Sequence, residues 1–195
     1  MYDVLIVGGG LHGGFTAWHL KRREPDLKIA IVERDPTYEH AASARSNAGV
    51  RVLFSQEENL RMSQYGHVVY GDFADLMEID GEKQPLSFWR QGYLFLSNTT
   101  AQADDMAANY ELQSAMGAEA DLIDAAELKR RVPSLNVEDV TLAVHSPKDG
   151  WLDPYGALTG VRRKNRSMGV EYIQATVTGF DVAGGKIEAA RLDDG

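Results

Sequence analysis

Residues 4–20, VLIVGGGLHGGFTAWHL, decide the fold of this chain. The aliphatic run at residues 4–7 is typical of a buried strand, and residues 8–10 are three glycines that end it abruptly. From Leu11 onward, apolar residues recur at helical spacing. A second aliphatic run, KIAIVE at residues 28–33, reads as another buried strand. The opening of the chain therefore predicts a βαβ unit, in which the two strands lie parallel.

The glycines at the first turn satisfy the pattern G-x-G-x-x-G, with Gly8, Gly10 and Gly13 at its three positions. The first permits a sharp turn, the second lets backbone approach a pyrophosphate, and the third allows close packing of helix on strand. Glu33 ends the next strand, 20 residues beyond Gly13, where a carboxylate can bind an adenosine ribose. A plain glycine-rich turn with a surface Glu is the alternative, and the matched strand and helix context argues against it. We predict an adenine dinucleotide site.

These residues alone do not separate FAD from NAD, because both cofactors carry the same ADP half. An NAD-dependent dehydrogenase remains open at this point. The segment at residues 34–52 favours FAD, since it loses periodicity and becomes a loop of small residues ending SARSNAGVR at residues 43–51. A simple NAD domain would continue there into another helix and strand. Small residues let backbone approach a ligand closely.

Further elements follow along the chain by the same reasoning from periodicity, Gly and Pro. Helices are predicted at residues 57–77, 101–116, 125–131 and 154–168, and strands at residues 87–97, 142–145, 170–173, 176–182 and 186–192. The chain ends in Asp193-Asp194-Gly195, a hairpin signal with no returning strand. We therefore expect a truncated or split chain.

Composition excludes several classes of protein. Hydrophobic residues make up 44% and charged residues 25%, as in soluble globular proteins, and the formal net charge is −9. An acidic chain does not suit a nucleic-acid groove. The absence of cysteine excludes disulfides, thiolate metal sites and a cysteinyl flavin link within this chain, and no metal site is expected. The apolar run at residues 4–7 is too short for a signal peptide or transmembrane segment, so we expect a cytoplasmic protein.

Three stretches together resemble the superfamily of D-amino-acid oxidase, sarcosine oxidase/dehydrogenase and glycine oxidase. They are GGGLHGGFTAWHL at residues 8–20, VERDPTYEHAASARSNAGV at 32–50 and DGWLDPYGALTGVRRKNRSMGVEYIQATVTGF at 149–180. The resemblance implies an α/β fold, with a Rossmann-like FAD-binding βαβ domain and part of an inserted substrate-domain sheet, truncated relative to the family. The FAD-binding domain would comprise residues 1–80 and 146–195, and the partial substrate domain residues 81–145.

The resemblance also implies which residues contact FAD. The pyrophosphate loop and the ribose acid lead into the loop that approaches the phosphates, ribityl chain and isoalloxazine ring. The implied residues are Gly8, Gly10, Leu11, His12, Gly13, Glu33, Arg34, Ser43, Ala44, Arg45, Ser46, Asn47, Ala48, Gly49 and Val50, together with Val177, whose backbone would meet adenine.

The implied reaction is oxidation of the C–N bond of an amino acid or secondary amine, such as sarcosine, glycine or a D-amino acid, by hydride transfer to the flavin. Its catalytic groups would lie beyond Gly195, so no catalytic residue is assigned. The alternative is a non-catalytic dinucleotide-binding module, or half of a split enzyme whose partner chain supplies the C-terminal half. Missing elements would expose apolar surface, which favours a homo-oligomer or such a partner.

Five further residues are weaker candidates. Arg51 is either a positive charge near the flavin or one half of a surface ion pair. Asp149 and Asp153 resemble a catalytic carboxylate pair, but Asp153 precedes a proline and is better explained as a helix cap. Trp89 and Tyr93 fall in the substrate-facing region, although we expect each to be a core aromatic residue.

Overall fold

The computed structural model describes residues 1–193, and the predicted turn at Asp194 and Gly195 lies outside them. In chain order the elements are β1 (Val4–Val7), α1 (Leu11–Arg23), β2 (Ile29–Glu33), β3 (Gly49–Val50), α2 (Glu57–Gly71), α3 (Phe73–Leu76), β4 (Phe88–Trp89), β5 (Tyr93–Ser97), α4 (Thr100–Ala115), β6 (Asp121–Ile123), α5 (Ala125–Arg131), β7 (Leu142–Ser146), β8 (Gly150–Leu152), α6 (Pro154–Ser167), β9 (Glu171–Gln174), β10 (Val177–Ala183) and β11 (Lys186–Leu192). The mixed α/β fold confirms the predicted fold class.

The chain forms two compact units, and the first comprises Met1–Ala48, Phe73–Leu86 and the residues from Asp153 onward. Its main sheet has the order β1-β2-β9, and both strand pairs are parallel, which confirms the predicted βαβ unit. The prediction that β1 is buried is wrong, because β1 is the edge strand of this sheet and Leu5 and Val7 are exposed. The strands β10 and β11 form a separate antiparallel hairpin. The turn of this hairpin contains Gly184 and Gly185, both with positive φ, as the sequence predicted.

The core of the first unit lies between its main sheet and α1. Ala17 of α1 packs with Ile29 and Ile31 of β2, and all three are buried. The helices α1 and α6 also pack together at Gly14, where an added Cβ would lie 2.9 Å from Cγ1 of Val161. The small residue at the start of α1 therefore permits the close approach of the two helices.

The second unit comprises Gly49–Asp72 and Ser87–Leu152. It contains two three-stranded sheets with the orders β3-β8-β4 and β5-β7-β6, and all their strand pairs are antiparallel. One cluster of its core contains Ile123, Leu128 and Ala143, which are buried between the second sheet and α5. This unit therefore provides an antiparallel framework of a different kind from the parallel sheet of the first unit.

Several elements differ from the sequence predictions. The helix predicted at residues 57–77 is broken at Asp72, because Gly71 is a poor helix former and Phe73 is buried in the first unit, where it faces Gly160. Three strands, β3, β6 and β8, were missed; they have two or three residues each, too few to show a period of two.

The boundaries of the compact units also differ from those of the predicted domains. Residues 49–72 group with residues 87–152, because β3 pairs with β8 and Val52 N donates a hydrogen bond to the carboxylate of Asp149. The assignment of the segments to FAD-binding and substrate domains stays a prediction. Within residues 1–193, no helix has the length and apolar character needed to cross a membrane.

Candidate dinucleotide site

The backbone N–H groups at the start of α1 have no side-chain acceptor among the described residues. Gly10 is the N-cap residue, and Gly14 N donates the first helical hydrogen bond to its carbonyl oxygen, at 2.8 Å. Among residues 1–193 no side chain caps this start, and the first turn contains no acidic residue. The leading N–H groups and the positive end of the helix dipole therefore remain available to an anion.

Three glycines of the loop have different structural roles. Gly8 has φ of +98°, a conformation that favours glycine. A Cβ on Gly13 would lie 2.0 Å from the carbonyl oxygen of Gly8, so only glycine fits there. A Cβ on Gly10 would meet no described atom within 4 Å. Gly8 and Gly13 are thus required by the fold, whereas the space beside Gly10 is open.

Glu33, the last residue of β2, is fixed beside this loop. Its Oε2 accepts a hydrogen bond from Gly9 N at 2.8 Å, and its Oε1 accepts one from Asp35 N at 2.9 Å. Each carboxylate oxygen has a second lone pair, so the group can still accept hydrogen bonds from ligand hydroxyls. The backbone therefore holds the carboxylate in the position expected of a ribose-binding acid.

A cavity of about 400 Å³ lies at the carboxyl ends of β1 and β2. It brings together four of the predicted cofactor residues, and it adds several that sequence reasoning missed. The predicted residues are Gly8, Glu33, Arg34 and Val177, and the others are Val7, Val32, Asp35, Tyr38, His40, Ala41, Ala175 and Thr176. Leu11, His12 and Gly13 lie at the start of α1 and are not among the lining residues, and the His12 side chain is exposed.

Tyr38 is the most informative of the missed residues. It is 4% exposed, it has positive φ, and its hydroxyl has no hydrogen-bond partner among the described residues. Burial raises the pKa of its phenol to about 12, so the group remains a hydrogen-bond donor at neutral pH. A Cβ on Gly9 would lie 2.8 Å from this hydroxyl. No sequence pattern indicates this role, because a tyrosine in a polar loop is ordinarily at the surface.

The predicted flavin-approaching loop is divided between the two units. Its residues 43–48 form a hydrogen-bonded loop, in which Ser46 Oγ donates to Ser43 O at 2.8 Å and accepts from Ala48 N at 3.0 Å. Gly49 and Val50 form β3 of the second unit. None of the residues from Ser43 to Val50 lines the cavity, so their contacts with the phosphates, ribityl chain and ring stay predictions.

In the second unit, Arg51 lies over aromatic rings. Its guanidinium carbon is 5.0 Å from the centroid of Phe54, 6.0 Å from that of Tyr93 and 5.3 Å from that of Phe95. Within the described residues it forms no ion pair with a carboxylate. Of the two alternatives, the surface ion pair is therefore not seen among residues 1–193, and cation–π contacts orient the charge. A charge near the flavin stays a prediction.

The expectation that Trp89 is a core residue is wrong. Its side chain is 39% exposed and stacks on Trp151, with ring centroids 3.9 Å apart. Antiparallel pairing sets the two residues directly opposite each other on one face of the sheet, which explains the contact. Tyr93 is half-buried, and its hydroxyl would be 2.3 Å from a Cβ on Gly49.

The two carboxylates around Trp151 have separate structural roles. In the first unit, Asp153 caps α6 by accepting a hydrogen bond from Tyr155 N at 3.0 Å, as the sequence predicted. In the second unit, Asp149 is 0% exposed, and both its oxygens lie 3.1 Å from Val52 N. His67 Nε2 lies 3.2 Å from Asp149 Oδ1. Sequence reasoning missed the His67–Asp149 contact, because 82 residues separate the partners.

A parallel strand, a glycine turn, an uncapped helix start and an acid at the end of the next strand define a class of protein. This chain is a dinucleotide-binding α/β protein, whose site lies where ligands bind in such folds, at the carboxyl ends of the strands.

Comparisons with known proteins identify the family. The family described as DAO, FAD dependent oxidoreductase, matches residues 3–195. FAD-dependent oxidoreductase domain-containing protein 1 of Xenopus laevis is 37% identical over 186 residues, covering 93% of this chain and 37% of that protein. Sarcosine oxidase subunit beta of an Arthrobacter species is 25% identical, covering 100% of this chain and 48% of the relative. The chain belongs to the DAO family of FAD dependent oxidoreductases.

A solved structure agrees with this assignment. L-proline dehydrogenase from P. horikoshii aligns with a TM-score of 0.86 and 25% identity, covering 100% of this chain and 50% of that chain. Across these comparisons, the chain spans from about a third to half of the length of its relatives. The resemblance recognised from sequence is thereby confirmed at the level of the family.

FAD is the cofactor of this family, and the residues of the first unit fit its ADP half. The start of α1 has N–H donors for a pyrophosphate, the space beside Gly10 is open, and Glu33 lines a cavity beside it.

Proposed function

We propose that the protein containing this chain oxidises the C–N bond of a small amino acid or secondary amine, with sarcosine, glycine and D-amino acids as the first substrates to test. The observation that carries the proposal is the uncapped start of α1 beside Glu33, in a chain of an FAD dependent oxidoreductase family. The names of two relatives, sarcosine oxidase subunit beta and L-proline dehydrogenase, support an amine or amino-acid substrate.

In this proposal the chain binds and orients the cofactor. The backbone N–H groups of Leu11, His12 and Gly13 hold the pyrophosphate, since among residues 1–193 no side chain caps them. Glu33 accepts hydrogen bonds from the ribose, because backbone donors already fix both its oxygens. Val177 lines the same cavity, and its backbone would meet the adenine.

Bound FAD would supply the acceptor for a hydride from the carbon next to the substrate nitrogen. The substrate loses this hydride and a proton and becomes an imine, which water hydrolyses to a carbonyl compound and an amine. We also propose that Arg51 supplies positive potential to the flavin, because cation–π contacts hold its charge and, among residues 1–193, it has no carboxylate partner. No catalytic residue is assigned within this chain.

The alternative is a dinucleotide-binding module without turnover, or half of a split enzyme. It is supported by the name of the Arthrobacter relative, which is a subunit. Leu5 and Val7 of the edge strand β1 are exposed, which supports self-association or a partner chain. We also propose a cytoplasmic location, on the basis of the acidic, cysteine-free composition.

Two measurements on the purified protein that contains this chain test these proposals. Flavin bound to the protein has visible absorbance, and turnover is assayed with sarcosine, glycine, L-proline and a D-amino acid in the presence of an artificial electron acceptor. We expect bound flavin and bleaching of its absorbance by one of these substrates. A yellow chain that no substrate bleaches would favour the alternative, and a colourless chain that cannot be reconstituted with FAD would contradict both.

Size-exclusion chromatography tests the assembly. We expect the chain to elute as an oligomer, because the edge strand exposes apolar side chains. A soluble monomer at every concentration would contradict self-association. Cell fractionation tests the cytoplasmic location separately.

A further inference from the structure

The second half of α6 concentrates positive charge. Residues 162–166 read Arg-Arg-Lys-Asn-Arg, in a chain whose formal net charge is −9. In the part of the chain that the structure describes, none of these four cations forms an ion pair with a carboxylate. Their mutual repulsion is therefore not offset by nearby acids, and a bound anion would relieve it.

Neutral groups hold Arg162 in place. Its Nη1 donates to Pro36 O at 3.2 Å, and its guanidinium carbon lies 5.6 Å from the ring centroids of both Tyr38 and Tyr172. Its Nε is buried and has no hydrogen-bond partner among residues 1–193. Since this Nε is inaccessible to solvent, Arg162 would act on a ligand through the charge of its guanidinium group.

The neighbouring arginines are oriented in the same way. Arg163 Nη1 donates to Gln84 Oε1 at 3.1 Å, and the guanidinium of Arg166 lies 5.4 Å from the ring centroid of Tyr172. A guanidinium has five N–H donors, so these contacts leave most of them unused. The two side chains are thus positioned without being neutralised.

These arginines line one cavity of about 340 Å³ in the first unit. Residues 36–38 and Tyr155 also line it. Tyr38 is the one residue shared with the dinucleotide cavity, and the other lining residues of the two cavities differ. The basic cavity is therefore separate from the site to which the FAD pyrophosphate and ribose are assigned.

We propose that this cavity binds a phosphate oxyanion, either inorganic phosphate or the phosphoryl group of a small molecule. Arg162, Arg163 and Arg166 provide the charge and planar donor pairs that match phosphate oxygens, and the tetrahedral anion has enough oxygens to engage several guanidinium groups. The neutral walls, Pro36, Tyr38 and Tyr155, leave the anion without a competing carboxylate. This site is independent of the proposed reaction.

Isothermal titration of the FAD-saturated chain with sodium phosphate, at constant ionic strength, tests the proposal. Saturation with FAD fills the start of α1, the other phosphate-binding position of the first unit. We expect one saturable site, with affinity reduced at least about tenfold in the double variant Arg163→Gln/Arg166→Gln, since two charge-assisted hydrogen bonds are lost. Both side chains are exposed, and equal melting temperatures without phosphate would establish that the variant folds.

The matched control is Arg23→Gln/Lys28→Gln, which removes the same charge from exposed positions of the same unit. It should bind phosphate as the unmodified chain does.

Titrations with glycerol 3-phosphate and with acetate complete the design. Tighter binding of glycerol 3-phosphate would assign the site to a phosphorylated molecule, and tighter binding of inorganic phosphate would assign it to the free ion. Acetate binding of equal strength, a signal that survives the double substitution, or equal loss in the control would overturn the proposal. Failure of the chain to retain FAD would leave the titration possible on the free chain and would count only against the proposed function.

Discussion

The helices α1 and α6 belong to the same unit, but only the start of α6 is capped by a side chain. At α6, the carboxylate of Asp153 accepts a hydrogen bond from Tyr155 N, and Pro154 has no N–H to satisfy. At α1, Gly10 stands in the capping position, and among residues 1–193 no side chain reaches the first turn. Both helices carry basic residues in the last turn, so the difference is confined to the start. The chain caps the start of α6, where no ligand for the backbone donors is proposed, and leaves donors free at the start of α1, where we propose that the cofactor binds.

The other capped helices strengthen this comparison. Thr99 accepts a hydrogen bond from Gln102 N at the start of α4, and Asp124 accepts one from Glu127 N at the start of α5. Within the described part of the chain, the start of α2 also lacks a side-chain cap, but Glu57 and Glu58 place negative charge in its first turn. The start of α1 has there neither a side-chain cap nor an acidic residue in the first turn. The uncapped start of α1 is therefore better explained by binding than by chance composition.

The largest effect is expected from Gly13→Ala. The new Cβ would be 2.0 Å from the carbonyl oxygen of Gly8, so the turn and the helix must separate. We expect the free energy of unfolding to fall by about 3 kcal/mol or more, because a backbone clash cannot be relieved by rotating a side chain. Chemical denaturation of the apo chain measures this loss. A fall of less than about 1 kcal/mol would show that the turn tolerates a side chain. It would contradict the conclusion that only glycine fits at this position.

Gly10→Ala separates binding from folding. A Cβ there meets no described atom within 4 Å, and Gly10 has φ of −63°, which alanine adopts. We expect stability within about 0.5 kcal/mol of the unmodified chain. FAD affinity should fall at least about tenfold, because the methyl group occupies the space through which a pyrophosphate approaches the backbone. Titration of FAD against protein fluorescence measures the affinity, and unchanged binding would argue against a pyrophosphate at α1.

More features of the first unit than of the second were predictable from the sequence, and the reason is physical. The turn at Gly8, the acid Glu33 and the cap Asp153 act on residues close to them in the chain, so spacing alone revealed them. Tyr38 and Asp149 act through distant parts of the chain, since Tyr38 lies beneath Gly9 and Asp149 meets Val52. The pairing of β8 with two other short strands is likewise a long-range choice that three residues cannot encode locally.

The smallest effect is expected from Asp153→Ala, which removes the side-chain cap of α6 and leaves its start uncapped, like that of α1. Tyr155 N would lose its side-chain acceptor, so the free energy of unfolding should fall by about 1 kcal/mol. FAD affinity should not change, because Asp153 does not line the dinucleotide cavity. Asp153→Asn is the matched control, since asparagine caps helices about as well as aspartate and should restore stability. If Asp153→Ala lowered FAD affinity as much as Gly10→Ala does, the starts of α1 and α6 would not be independent. Cofactor binding at α1 would then no longer explain why only α6 is capped.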